Sequence, residues 1–328
     1  MTGASRQDGP DRQPTLFLHV GLPKTATTYL QTAVFPHLRG PLYFDTPTDP
    51  AFDDPDDLAT GSRIMSCVLK RDPRYWDSQG DAFLTSLLGP RQNWTPRDVL
   101  ISDEGMGRAG SRPGLLGDHL RAMGAVAAGW GLSRLAVICT VRRQDHWFAS
   151  HYSQMSDRNP RASQRDFDRA ARDLIRPTGG RFKLGMLLDY ATLHAALANA
   201  AGAGNVLLFP FERQRSDADG VMADLLGFLG AEMAAGAAPE RGAAGDGVNV
   251  RALGADRWSI RPEEGRHGPR SLRLTRLAHL PGRVSRSRRG RSFVLSPETG
   301  AAILDSYRDA NMALSDDLGL DLGSYGYF

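Results

Sequence analysis

The chain has 328 residues, 41% hydrophobic and 23% charged, which is ordinary globular composition with length for one large domain or two small ones. A formal net charge of +3 is too mild to mark a nucleic-acid-binding protein. Two cysteines, Cys67 and Cys139, without Cys-x-x-Cys spacing exclude a disulfide scaffold and a cysteine-rich zinc module and fit a reducing cytoplasm.

Residues 1–14 are polar, with no apolar stretch of the kind that heads a secretory signal, and read as a disordered tail before one domain spanning 15–328. No apolar run approaches the ~20 residues of a membrane span, so a cytoplasmic protein is expected. Four short runs, 15–20, 98–102, 134–141 and 205–211, are almost continuously apolar, the pattern of strands covered on both faces in a parallel sheet. Helical patterns lie between and after them at 27–38, 115–128, 145–155, 186–201 and 219–229, the last stopping at Gly230 as its C-cap. Strands and helices in alternation predict an α/β fold built on a doubly wound, mostly parallel sheet flanked by helices. In such sheets ligands sit at the carboxyl ends of the strands.

The C-terminal third differs in texture. Residues 232–247 are rich in Ala and Gly and read as a flexible loop. Residues 261–292 carry ten arginines against Glu263 and Glu264, and 266–291 interleave leucines with arginines. That stretch is expected either to meet an anionic surface or acidic acceptor, or to be a solvated rim. A last helix opens at Ser296-Pro297-Glu298, with Ser as N-cap and Pro at the first position, and runs to about Leu318.

The first strand runs into Gly21-Leu22-Pro23-Lys24-Thr25-Ala26-Thr27-Thr28. Small and hydroxyl residues between a strand and a helix expose backbone N–H groups that, with the helix dipole, attract an anion, and Lys24 adds a point charge. Only three lysines, Lys24, Lys70 and Lys183, occur among 40 basic residues, so a lysine here stands out; the bland alternative is a turn with a solvated lysine. The order differs from the nucleotide-triphosphatase loop, whose lysine comes last, just before the hydroxyl that holds magnesium. The third strand ends at Arg142-Arg143-Gln144-Asp145, with Asp145 as expected N-cap of a helix carrying Ser150. A guanidinium and a hydroxyl so placed can converge on a second anion; the alternative is an arginine-rich surface turn. Two anion sites on neighbouring strand ends suggest a ligand with two separated phosphates.

Gly105-Met106-Gly107-Arg108-Ala109-Gly110 spells G-x-G-x-x-G. Glu104 precedes the first glycine, Pro113 interrupts the expected helix and no acidic residue lies where a ribose would be bound, so the dinucleotide reading is set aside.

Pro23-Lys24-Thr25-Ala26-Thr27-Thr28, and Arg142 followed eight residues later by Ser150, together resemble the sulfotransferases that use 3′-phosphoadenosine 5′-phosphosulfate (PAPS). The one departure in the loop is Ala26 where the family usually has glycine, which matters where that position needs a positive φ. Phe209-Pro210-Phe211-Glu212, Leu225–Gly230, Asn249 and the terminal helix are similar to further family segments, with 240–295 the least matched. The resemblance implies sulfonate transfer from PAPS to a hydroxyl or amine of a carbohydrate, lipid or small natural product, without a metal or nucleic acid. It implies that Lys24, Thr25, Ala26, Thr27 and Thr28 bind the 5′-phosphosulfate, that Arg142 and Ser150 bind the 3′-phosphate, and that Lys24 also serves the leaving group. Family members place a general base near the second strand end, which makes Glu104 the candidate, unless it is a structural carboxylate paired with an arginine. His19 and His151 are reserves, each otherwise a structural histidine. Arg288-Arg289-Gly290 is a weaker match to the family's supplementary 3′-phosphate segment. A kinase-class phosphoryl-transfer enzyme and a non-catalytic nucleotide- or glycan-binding relative are the rival readings.

Overall fold

A computed structural model describes residues 13–45, 72–108, 112–156, 159–175, 187–236, 254, 256–260 and 291–328. Residues 46–71 with Cys67, Asn249 and the arginine-rich 261–290, for which a surface contact or a solvated rim was expected, lie outside these residues, as does the tail at 1–12.

The centre is a five-stranded sheet built from β1 (Thr15–His19), β3 (Leu42–Asp45), β4 (Val99–Ser102), β5 (Arg134–Val141) and β6 (Val206–Pro210), in the order β3-β4-β1-β5-β6. Every pairing in it is parallel. The near-continuous apolar runs therefore mean what they predicted, because alternate side chains enter two cores. Leu16, Leu18, Val99, Ile101, Val137 and Cys139 face one core. Phe17, Leu100, Ala136, Ile138 and Phe209 face the other.

The first core is covered by α2 (Tyr75–Leu88), α4 (Pro113–Gly129), α5 (Gln144–Met155), α6 (Gln164–Ile175) and α7 (Tyr190–Ala201). The second is thinner, covered by the segment after β1 and by α9 (Ala218–Leu229). Gly230 ends α9 at φ 58, as its C-cap role requires.

Several elements differ from expectation. The predicted helix at 27–38 is one turn of α1 (Thr27–Tyr29), a π turn at Leu30–Val34 and a 3₁₀ turn at Phe35–His37; Pro36 cannot donate to a continuing α-helix. Two residues expected in a flexible loop, Glu232–Met233, form β7 and pair antiparallel with β2 (Leu38–Arg39). Pro113 does not interrupt a helix but opens α4, and Asp145 is not an N-cap, since α5 starts one residue earlier. The terminal helix is two: α10 (Pro297–Asp305), capped by Ser296 through the Thr299 amide, and α11 (Arg308–Leu318). A two-stranded antiparallel ladder of β8 (Arg257–Ser259) and β9 (Ser292–Val294) packs near α5 and α6. Among the described residues no helix is long and apolar enough to cross a membrane.

Strand order brings the site together. β1 lies between β4 and β5, with His19 opposite both Ser102 and Ile138. The loop after β1 continues along β5, Val20 N–H donating to Ile138 O (2.9 Å) and Leu22 N–H to Thr140 O (3.4 Å). All three predicted site segments thus leave the same edge of the sheet side by side.

Candidate active site

The loop after β1 needs close approach at both ends. A Cβ on Gly21 would lie 2.7 Å from Thr27 Cγ2 and 2.8 Å from His19 Nε2. A Cβ on Gly107 would lie 2.5 Å from Val20 O and 2.6 Å from Gly21 O. Gly107 lies on the short helix α3 (Glu104–Arg108), so the G-x-G-x-x-G glycine serves helix-to-loop packing rather than a dinucleotide. Asp103 starts α3 by accepting the Gly105 N–H (2.7 Å). Glu104, one residue on, accepts the Thr27 hydroxyl hydrogen at 2.9 Å. The candidate base therefore sits at the loop after β1, and among the described residues no arginine pairs with it.

Within the loop, Lys24 and Ala26 both adopt left-handed backbone, at φ 72 and φ 61. Among the described residues the N–H groups of Thr25, Ala26, Thr27 and Thr28 find no acceptor. Successive unsatisfied amides in such a curve form a concavity for an anion, with α1 adding its N-terminal end. The donor set fits a phosphosulfate-type group. Thr25 is buried and donates its hydroxyl to Leu22 O (2.5 Å), so only its amide is free for a ligand. Thr28 is exposed.

Ala26 is the position where the resemblance led to the expectation of glycine, and its conformation is the one where glycine has the advantage. An L-residue in the left-handed region costs about 1–2 kcal/mol, partly offset by the extra chain entropy glycine loses on folding. Ala26→Gly is expected to raise stability by up to about 1 kcal/mol in a denaturant melt. Loss of stability instead would show that the alanine methyl makes a compensating contact.

Arg142 leaves β5 toward this loop. Its Nη1 donates to Lys24 O at 3.1 Å, and its guanidinium lies over the rings of Phe211 (4.8 Å) and Trp258 (5.8 Å). Burial pulls its pKa below the ordinary arginine range, with Glu212 the largest charge acting the other way. The strand end and the facing loop are held by three contacts. Tyr190 donates its hydroxyl to Arg142 O (2.5 Å), Glu212 accepts the Arg143 N–H (3.1 Å), and Trp147 donates its indole hydrogen to Pro23 O (2.7 Å). Glu212 is itself oriented by the Tyr327 hydroxyl (2.8 Å), which gives the Phe211-Glu212 pair a structural meaning. Ser150 is buried on α5 and makes no hydrogen bond to Arg142 or to the loop among the described residues, whereas Arg142 bonds to the loop directly.

The reserve histidines are occupied otherwise. His19 is fully buried, its Nδ1 is 2.7 Å from Ser102 Oγ, and Ser102 Oγ also accepts from Gln31 (3.1 Å). Burial drives its pKa down to about 3, and a ring without solvent access does not suit exchange of a proton with an acceptor. His151 lies flat on Trp147 at 4.7 Å.

His19 gives a pH signature. The unfolded chain protonates this ring below about pH 6.5, whereas the folded chain resists until about 3. Stability is thus full above the upper value and falls as pH drops toward the lower, by a slope approaching 1.4 kcal/mol per pH unit. Denaturant melts from pH 7 to 4 on wild type and His19→Gln should differ by this slope. Parallel profiles would assign the acid sensitivity to other groups.

No family model and no curated protein sequence matches the chain. Among solved structures it is similar to a sulfotransferase from Alicyclobacillus acidocaldarius, at 18% identity and TM-score 0.41, over 67% of this chain and 81% of that one. It is also similar to the sulfotransferase domain of the Synechococcus PCC 7002 olefin synthase, at 16% identity and TM-score 0.34, over 67% of this chain and 75% of the other. A third is the sulfotransferase domain from the curacin biosynthetic pathway, at 12% identity and TM-score 0.37, over 74% and 81% of the two chains.

Proposed function

We propose that the chain is a sulfotransferase that moves a sulfonate group from PAPS to a hydroxyl or amine of a carbohydrate, lipid or small natural-product acceptor. The observation that carries this reading is the 3.1 Å hydrogen bond from Arg142 to the carbonyl of Lys24. It makes one site of two anion-binding elements found 118 residues apart in the sequence.

PAPS supplies an activated sulfonate on a phosphate leaving group. The four free amides of residues 25–28 cradle the charged end, and Lys24 meets the negative charge that grows on the bridging oxygen as the bond to sulfur lengthens. Fixed donors of this kind act without reorganising at the moment of reaction. Arg142 anchors the second phosphate, and its bond to Lys24 O sets the distance between the two. Glu104 takes the proton from the acceptor, with Thr27 orienting the carboxylate through the 2.9 Å bond. Two positions weigh against the rival readings. The hydroxyl directly after the lysine, Thr25, turns back to Leu22 O rather than outward as a magnesium ligand of a kinase loop would. Glu104 lies at the loop, where a non-catalytic relative needs no carboxylate.

Calorimetric titration with 3′-phosphoadenosine 5′-phosphate, alongside ATP with magnesium and NAD, tests the donor. The bisphosphate is expected to bind and the other two not to. Preferential binding of ATP with magnesium would return the kinase reading.

A further inference from the structure

Two buried hydrogen-bond donors beside the end of β5 have nothing to donate to. One is the indole N–H of Trp258, a side chain only 3% exposed, and the other is the Nε–H of Arg142; neither has an acceptor among the described residues. They belong to one stack, since the guanidinium lies over the Trp258 ring on one contact and over Phe211 on the other. Buried N–H groups are paired in nearly all folded proteins, and an exception asks for the partner that is not protein.

The charge is unmatched as well. Arg142 forms no ion pair among the described residues. The one carboxylate that acts on it, Glu212, spends its oxygens on the Arg143 amide and the Tyr327 hydroxyl. A desolvated cation, with its own free N–H and a neutral free N–H on the ring against it, is a donor set for the oxygens of one tetrahedral anion. The aromatic faces hold the guanidinium in place without competing for those oxygens, because neither ring offers an acceptor in its plane. Trp258 reaches this position from β8, which pairs with β9 over only three residues.

We propose that Trp258 is a binding residue of the nucleotide site, its indole N–H and the Nε–H of Arg142 taking oxygens of the same phosphate monoester. This rests on the reading of Arg142 as the anchor for the second phosphate of the donor and adds to it a residue from a separate part of the chain.

Trp258→Phe keeps an aromatic ring against the guanidinium and removes only the N–H. Titrated with 3′-phosphoadenosine 5′-phosphate, this variant is expected to bind about tenfold more weakly than wild type, the scale of one lost hydrogen bond to a charged group. With adenosine 5′-phosphate, which lacks the second phosphate, it is expected to bind as wild type does. Arg142→Lys keeps the charge but removes both the Nε–H and the bond to Lys24 O, so it should weaken the bisphosphate by more than it weakens adenosine 5′-phosphate, and it carries the test if Trp258→Phe does not fold. Combining the two should cost less than the product of the separate losses, because both act on one anion. Equal binding of the bisphosphate by Trp258→Phe and wild type overturns the proposal, as does an equal loss for both nucleotides. If wild type binds neither nucleotide but binds inorganic phosphate in a Trp258-dependent way, the sulfotransferase reading falls and this subsite stands. Absence of any anion binding by wild type overturns both.

Discussion

Replacing Lys24 with alanine is expected to slow sulfonate transfer by about 10²- to 10³-fold, the usual loss when one preorganised charge or donor is taken from the place where a leaving group develops its charge. The backbone argument makes the variant clean. Lys24 adopts φ 72, and alanine carries the same Cβ, so the strain of that conformation is unchanged while the side chain beyond Cβ, with its ammonium group, goes. The free amides of residues 25–28 remain to hold the ground state. The loss should therefore appear in kcat and kcat/KM alike, which is the pattern of an interaction made in the transition state. Binding of the bisphosphate product is expected to change only a few-fold. Single-turnover transfer to an acceptor found by screening checks this, with Lys24→Arg as a partial rescue. Turnover near wild type in Lys24→Ala would remove the lysine from the chemistry.

Arg142→Ala is expected to weaken bisphosphate binding about 100-fold or more, since removing one partner of a buried charge pair costs about 2–5 kcal/mol. Two losses combine here. The second phosphate loses its cation, and Lys24 O loses the hydrogen bond that ties the loop to β5. The second loss gives this variant a feature that Lys24→Ala lacks: affinity and turnover fall together, because the loop is no longer held at the spacing the ligand needs. Calorimetry with the bisphosphate, after a melt confirms folding, reads the first effect directly. Unchanged affinity in a folded variant would remove Arg142 from the donor site.

The sheet was legible because its strands are buried on both faces, so that apolar runs such as 134–141 stand out without help from periodicity. The edge strand β3 and helix α2 were not. β3 has only half-buried and exposed positions, which blurs the apolar run. In α2, Gly80 reads as a breaker, yet a Cβ there would lie 2.5 Å from Val126 Cγ2. The glycine is kept so that α2 can approach α4, a requirement local propensity does not show. At the site, the loop, Glu104 and Arg142 were readable because each directly follows a strand. The residues that hold them were not, because their partners are remote: Trp147 meets Pro23 across 124 positions and Tyr190 meets Arg142 across 48. Trp258 offered no signal at all, since only the tertiary fold brings its strand to β5.

The Tyr327 contact also sets an order of events during synthesis. Gln144 donates to Asn311 (2.8 Å), Asn311 donates to Tyr327 O (3.0 Å), and the Tyr327 hydroxyl holds the carboxylate that fixes the Arg143 amide. The contacts that Asn311 and Tyr327 add at the strand end bearing Arg142 therefore form only after the chain has been made through residue 327. A nascent chain that already has its five central strands still lacks these contacts at the candidate site. The binding surface matures late, and closing so long a span of sequence is a slow step compared with forming local helices.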